Sequence, residues 1–169
     1  MRNKVIEIAW VKQSVFEKLL GETQRCQPYE TGGCLVGYRA DSYNGIVITN
    51  SIGPGPGAKH SKSGFEPDHE WHTLEIARLY KESKCIYNYV GDWHSHPQRP
   101  DSNLSWKDMR TLRRIAKYPP ARAPKPVMVL IAGGSTWTFR IWYLELVRYR
   151  FISIYKKQEI NKIKFFDYL

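Results

Sequence analysis

The sequence predicts an α/β fold: one domain built on a mixed, mainly antiparallel sheet with helices against it. Three observations carry that prediction. Short β-branched runs are interleaved with longer stretches of helical periodicity along the chain. Val127-Met128-Val129-Leu130-Ile131 is apolar at every position, as a strand covered on both faces must be. The 169 residues are enough for one domain to bury most of its apolar surface without disulfide staples.

In order, Val5-Ile6-Glu7-Ile8 alternates and reads as a first strand. Ser14, with Glu17 three residues on, has the pattern of a capping box, and Val15, Phe16, Leu19 and Leu20 form an apolar stripe behind it. That helix is expected to run to about Cys26 despite Gly21 and to end before Pro28. Glu30 and the pair Gly32-Gly33 lead into an apolar strand, Cys34 to Tyr38, where the glycines let neighbouring backbone pass close. Gly45 to Ile52 is β-branched and is expected to pair antiparallel with it through the turn Asp41-Ser42-Tyr43-Asn44.

The run Gly53-Pro54-Gly55-Pro56-Gly57-Ala58-Lys59-His60 is not a phosphate loop. It lacks the Gly-Lys-Ser/Thr ending, and its prolines remove N–H groups that a phosphate cradle uses. It is expected as a mobile, solvent-facing loop. A helix follows from about Asp68 to Ser83, with Leu74, Ile76, Ala77, Leu79 and Tyr80 at its apolar positions. His69-Glu70 and His72 within it imitate a zincin motif, but the second histidine falls at i+3 and position 73 is Thr.

Ile86 to Asp92 feeds the stretch Gly91-Asp92-Trp93-His94-Ser95-His96-Pro97, on which the functional reading rests. Side chains alternate along a strand, so His94 and His96 share a face. Pro97 ends the strand, and turn formers fill the loop Gln98 to Asn103. On the helix beyond, Ser105, Asp108, Leu112 and Ile115 share one face, while Lys107, Arg110, Arg114 and Lys117 fall broadly opposite. Asp108 therefore points inward with the apolar residues. An unpaired buried carboxylate is costly, whereas a metal ion makes it favourable. Two histidines and one aspartate make a three-ligand Zn²⁺ site with a fourth position open for water, the catalytic arrangement. Asp101 in the loop is a rival ligand.

Pro119 to Pro124 is a stiff connector inside the domain. Gly133-Gly134 is expected to turn the Val127–Ile131 strand back into an aromatic strand from Thr136 to Leu144, and Val147 to Tyr155 reads as a further strand or a bulged continuation. Residues 155–169 mix lysines with Ile160, Ile163, Phe165 and Phe166 and are expected as an amphipathic C-terminal helix.

His94-Ser95-His96-Pro97, the loop, Ser105-x-x-Asp108 and the upstream Glu30 together resemble the JAMM motif of the JAB/MPN metalloproteases, with a loop one residue longer than the commonest form. The likeness extends over roughly Thr31 to Arg140. It implies a cytidine-deaminase-like mixed sheet with zinc at one end. It also implies Glu30 as the base that takes a proton from water and Ser105 as a donor to the oxyanion. The combination of Glu30-Thr31-Gly32-Gly33, Gly53-Pro54-Gly55-Pro56, Phe65-Glu66-Pro67-Asp68-His69 and the His94/His96 strand is similar to the stand-alone prokaryotic JAB proteins of anti-phage CBASS operons. That likeness implies a deconjugating isopeptidase. Its expected substrate is a protein conjugated through its C-terminus, a cGAS-like nucleotidyltransferase or a ubiquitin-like modifier. Its expected partner is the E1/E2-like conjugating enzyme of the same operon.

Composition narrows the alternatives. No apolar run approaches the roughly 20 residues of a membrane span, and Val5 to Val11 is too short and too charged for a secretory signal. Three cysteines (Cys26, Cys34, Cys85), with no Cys-x-x-Cys spacing, read as reduced, mostly buried thiols of a cytosolic protein. The net charge of +10 is concentrated in Lys107 to Lys125 and in Arg148 to Lys164, which suits an acidic protein, nucleic acid or anionic lipid. The rival readings are a catalytically silent MPN scaffold and a basic nucleic-acid-binding module.

Overall fold

The structure is a computed structural model and describes residues 5–99, 103–133 and 136–167. In chain order the elements are β1 (Ile8–Lys12), α1 (Gln13–Cys26), β2 (Gly32–Ala40), β3 (Gly45–Ile52), β4 (Lys59–Ser61), β5 (Gly64–Glu66) and α2 (His69–Glu82). There follow β6 (Asn88–His96), α3 (Trp106–Ala116), β7 (Val127–Gly133), β8 (Trp137–Arg148), β9 (Ser153–Glu159) and β10 (Lys162–Phe166). Eight strands form one mixed sheet in the order β10-β1-β3-β2-β6-β7-β8-β9, and β4 pairs with β5 as a separate hairpin.

β9 and β10 occupy opposite ends of that order, yet only Ile160 and Asn161 lie between them. The sheet therefore curls until its two ends meet at one short crossing of the chain. Ile160 is buried there, and its N–H donates to the Ile141 carbonyl at 2.8 Å. The inner face closes around α1: Val15 and Leu19 pack among Ile46, Ile48, Val129 and Ile141, and Phe16 meets Phe139 edge-on at 5.2 Å. On the outer face α2 packs Leu79 against Cys34, Val36 and Ile52, and α3 packs Leu112 against Met128, Leu130 and Leu144. β7 serves both faces, with Val127, Val129 and Ile131 inward and Met128, Leu130 and Ala132 outward. This is the continuous apolar strand expected from its sequence.

Five local expectations are corrected. The first strand begins at Ile8, not Val5. It runs straight into α1, so Lys12 occupies the N-cap position without a side-chain bond and Ser14 lies inside the first turn. The C-terminal segment forms β9 and β10 instead of an amphipathic helix. In Lys162-Ile163-Lys164-Phe165 the apolar residues recur with period two, which suits a strand laid along β1 with Ile163 and Phe165 turned toward α1. The Gly/Pro run is clamped rather than merely solvent-facing. The Asp68 carboxylate accepts from Gly57 and Trp71 N–H at 3.0 Å each, and the Asp68 N–H donates to Pro54 O. Leu74, expected at an apolar position of α2, faces solvent at 62% exposure. The expected turn at Gly133-Gly134 includes Gly134, which lies outside the described residues.

One irregularity aims side chains at the site. The β2–β6 pairing slips by a residue between Leu35/Gly91 and Val36/Tyr89. The extra residue lets Tyr89 and Asp92 face the same side, where the Tyr89 hydroxyl donates to Asp92 Oδ1 at 2.7 Å. Gly91 has φ +154°, and a Cβ there would stand 2.0 Å from Val127 O. Gly91→Ala should therefore destabilise the fold by at least about 1–3 kcal/mol in chemical denaturation. Ile160→Ala should cost about 2–5 kcal/mol in the same measurement, because Ile160 fills the sheet closure.

Candidate metal centre

The centre is assembled from three segments. At the end of β6, His94 and His96 turn the same way, both buried, while Ser95 points to the opposite face. In the fold its Oγ accepts from the Thr31 N–H at 3.0 Å and its own N–H donates to Thr31 O at 2.8 Å. That double bond ties the entry of β2 to the histidine strand and brings Glu30 alongside. The β4–β5 hairpin completes the hold, since Glu30 N–H donates to Ser61 O at 2.8 Å and His60 Nδ1 bonds Glu30 O at 2.9 Å.

The third segment is the start of α3. Ser105 is its N-cap, and with Asp108 it forms a capping box: the Ser105 Oγ accepts from Asp108 N–H at 3.3 Å, and Asp108 Oδ2 accepts from Ser105 N–H at 2.6 Å. Asp108 is therefore oriented by its own helix, with a carboxylate at the favourable positive end of the dipole. Its Oδ1 lies 3.2 Å from His94 Nε2. His94 Nε2 and His96 Nε2 stand 3.0 Å apart, His96 Nε2 is 3.9 Å from Asp108 Oδ2, and Glu30 Oε1 is 4.0 Å from His96 Nε2. The other nitrogen of His94, Nδ1, lies 3.3 Å from Met128 Sδ. A thioether sulfur only accepts, so Nδ1 carries a proton and Nε2 is the ring nitrogen that faces the cluster.

This set fits a metal ion. His94, His96 and Asp108 each offer one ligand atom, all within 4.8 Å of one another and all on buried residues. An imidazole lone pair and a carboxylate crowded together away from water repel one another unless a cation or proton sits between them. Two imidazoles and a carboxylate also match the borderline N/O preference of a catalytic zinc site. Electrostatics separates the two acids. Burial holds the Glu30 carboxyl above its ordinary range. Burial also pushes Asp108 upward, but the hydrogen bond and charge of His94 and the bonds from Ser105 outweigh it and lower Asp108 to about 2.

All five residues singled out from sequence converge here. Asp101 lies outside the described residues. The His69/His72 pair is no ligand set: His72 is buried with Nε2 donating to Gly53 O at 2.8 Å and Nδ1 beside Cys34 Sγ at 3.3 Å, while His69 faces solvent. All three cysteines are free, but the burial expected of them holds only for Cys34; Cys26 is half-buried and Cys85 exposed. Three neighbours escaped the sequence reading. Asp92 had a visible signal, since it stands two before His94 on the same strand; Tyr89 needed the bulge and Met128 needed the β6–β7 register. The cluster sits at the head of a cleft of about 1370 Å³ that runs between α2 and α3.

A buried His-His-Asp cluster with a glutamate at its side, opening into a long cleft, is the arrangement of a metal-dependent hydrolase. The chain belongs to the family of prokaryotic homologs of the JAB domain, whose sequence model matches residues 12–145. It is 41% identical over 143 residues to the "Probable metalloprotease y4qB" of Sinorhizobium fredii, a match covering 84% of this chain and 87% of the relative. A protein of Enterobacter hormaechei named "CD-NTase/cGAS isopeptidase" is 24% identical over 138 residues, 78% of this chain and 71% of that one. An Escherichia coli protein of the same name is 32% identical over 69 residues, 41% and 43% of the two chains. In fold, the solution structure of protein DSY2949 from Desulfitobacterium hafniense superposes with a TM-score of 0.66 at 16% identity, covering 95% of this chain and 94% of that one. The protein is thus a JAB-type hydrolase of peptide bonds, and the family and its own ligand cluster imply a metal ion. Among the described residues no helix is long and apolar enough to cross a membrane.

Elemental analysis of the purified protein should find about one metal ion per chain. The His94→Ala/His96→Ala double variant should lose it, whereas His69→Ala and His72→Ala should retain it.

Proposed function

We propose that the protein is a zinc-dependent isopeptidase that releases a protein conjugated through its C-terminus, acting in the cytoplasm as part of an anti-phage system. His94, His96 and Asp108 would hold Zn²⁺. The observation that carries this reading is the convergence of the three on one point, with Glu30 Oε1 4.0 Å from His96 Nε2. The conjugated partner proposed is a cGAS-like nucleotidyltransferase, attached by an E1/E2-like enzyme; two relatives bearing the name CD-NTase/cGAS isopeptidase support this choice.

Zn²⁺ bound by that trio would act as a Lewis acid toward the scissile carbonyl and ease deprotonation of water near neutral pH. The remaining work falls to side chains. Glu30 accepts the proton of the attacking water on its carboxylate and delivers it to the departing amine. Its burial favours this double duty, because a carboxyl raised above the ordinary range is a stronger base and gives up its proton in turn. Ser105 uses an oxygen lone pair on the Asp108 N–H, so its O–H stays available to donate to the oxyanion. The walls of α2 and α3 confine an extended chain so that its carbonyl reaches the head of the cleft.

Glu30→Gln should lower kcat by about 10²–10⁴-fold with metal content unchanged, and Asp108→Ala should lose metal and turnover together. Cleavage at the wild-type rate by metal-loaded Glu30→Gln would overturn the assignment of the base. Ser105→Gly separates cap from donor: glycine costs only a few tenths of a kcal/mol at an N-cap. A loss of about 10²-fold in kcat with near-normal stability is therefore expected.

A further inference from the structure

The cleft carries a charge pattern that hydrolysis alone does not require. Its carboxylates lie at the floor and are engaged: Glu30 and Asp108 at the metal centre, and the half-buried Asp92 beneath the Tyr89 hydroxyl. Its rim is positive. Lys107, Arg114 and Arg122 line the opening and are exposed, and among the described residues no carboxylate oxygen comes within 4.0 Å of any of the three. On α1 and α2 the exposed arginines are paired: Arg78 binds Glu75 and Glu82, and Arg25 binds Glu22. Trp106 and Tyr118 stand on the same rim at 70% and 60% exposure, an apolar shelf beside the cations.

This arrangement suits an acidic polypeptide better than a nucleic acid. The chain is a JAB-type hydrolase of peptide bonds, so what its cleft receives is a polypeptide, and cations without carboxylate partners at the mouth suit acidic side chains on it. An extended peptide offers neutral N–H groups to the floor and places its side chains alternately toward the walls. Arg114 lies six residues beyond Asp108 on α3, about 9 Å further along the helix axis at 1.5 Å per residue, and like Asp108 it lines the cleft.

Resting on the peptidase reading above, we infer that the cleft selects a substrate tail that is acidic. A Glu or Asp of the tail is held by Arg114, and Arg122 and Lys107 extend the preference along the rim. The cations act on binding; they take no part in the chemistry.

The test is fluorescence anisotropy on the full-length, zinc-loaded Glu30→Gln protein, with three labelled peptides identical except for Glu, Gln or Lys at two positions. The Glu peptide should bind at least about tenfold tighter than the Gln peptide, a difference of about 1.4 kcal/mol, and added salt should erode the gap. Arg114→Glu and Arg122→Glu, both surface changes, should abolish or invert the preference, with Arg114→Gln as the milder check on folding. Arg150→Glu, outside the cleft, should leave it intact. Equal affinities, or a preference that survives the Arg114 and Arg122 variants, would overturn the inference. So would a single-stranded oligonucleotide that binds more tightly through the same arginines. Hydrolysis by the wild-type protein, followed in parallel on the same peptides joined through an amide to a quencher, separates the two ideas. Cleavage without acidic preference removes only the inference, whereas cleavage of none of them under any zinc loading counts against the peptidase reading itself.

Discussion

The centre depends on how closely β2 can lie against β6. Glu30 is not on the strand that carries the histidines; it arrives beside them because Thr31 and Ser95 exchange backbone and hydroxyl bonds and Gly32 sits opposite His94. Such proximity leaves no room for side chains. A Cβ on Gly32 would stand 2.5 Å from Trp93 O, so any other residue there would push β2 away from β6, and one on Gly33 would meet Ile52 O of β3 at 2.0 Å. The glycine pair is thus a spacing device: it brings the Glu30 carboxylate within 4.0 Å of an imidazole that belongs to a segment more than sixty residues away.

The same economy of parts appears at α3. A helix start needs acceptors for its free N–H groups, and a metal ligand needs a fixed orientation. The Ser105/Asp108 capping box answers both needs, because the oxygen bonded to Ser105 N–H fixes the direction of its twin toward His94. Held this way, the cluster concentrates lone pairs and negative charge where water is scarce. The surrounding sheet must supply the stability that such a site withdraws, and it does so with cores on both faces of β7 and the closure at Ile160.

Several elements were legible because their signals are local. Val127–Ile131 is apolar throughout, Gly45–Ile52 is β-branched, and Asp68 caps α2 as its position before the helical pattern implies. His94, His96, Ser105 and Asp108 were legible for the same reason: period two on a strand and a spacing of three on a helix already state which side chains share a face. The misreadings share a cause as well. The Lys162–Phe166 segment has weak intrinsic preference, and what makes it a strand is the unpaired edge of β1, far away in sequence. Ser14 lost its cap because β1 leads into α1 without a loop.

What the sequence determined on its own is therefore the local chemistry: which residue types stand at which spacing, and hence the His94, His96 and Asp108 cluster and the class of fold. What only the tertiary structure decided is the company they keep. The curl that joins β9 to β10, the slip at Gly91 that turns Tyr89 and Asp92 into the cleft, and the Met128 sulfur behind His94 all arise from contacts between distant strands. Backbone periodicity sets the direction of each side chain within its own element. Which elements become neighbours is set by burial and by the pairing of every strand edge, and those are properties of the whole chain.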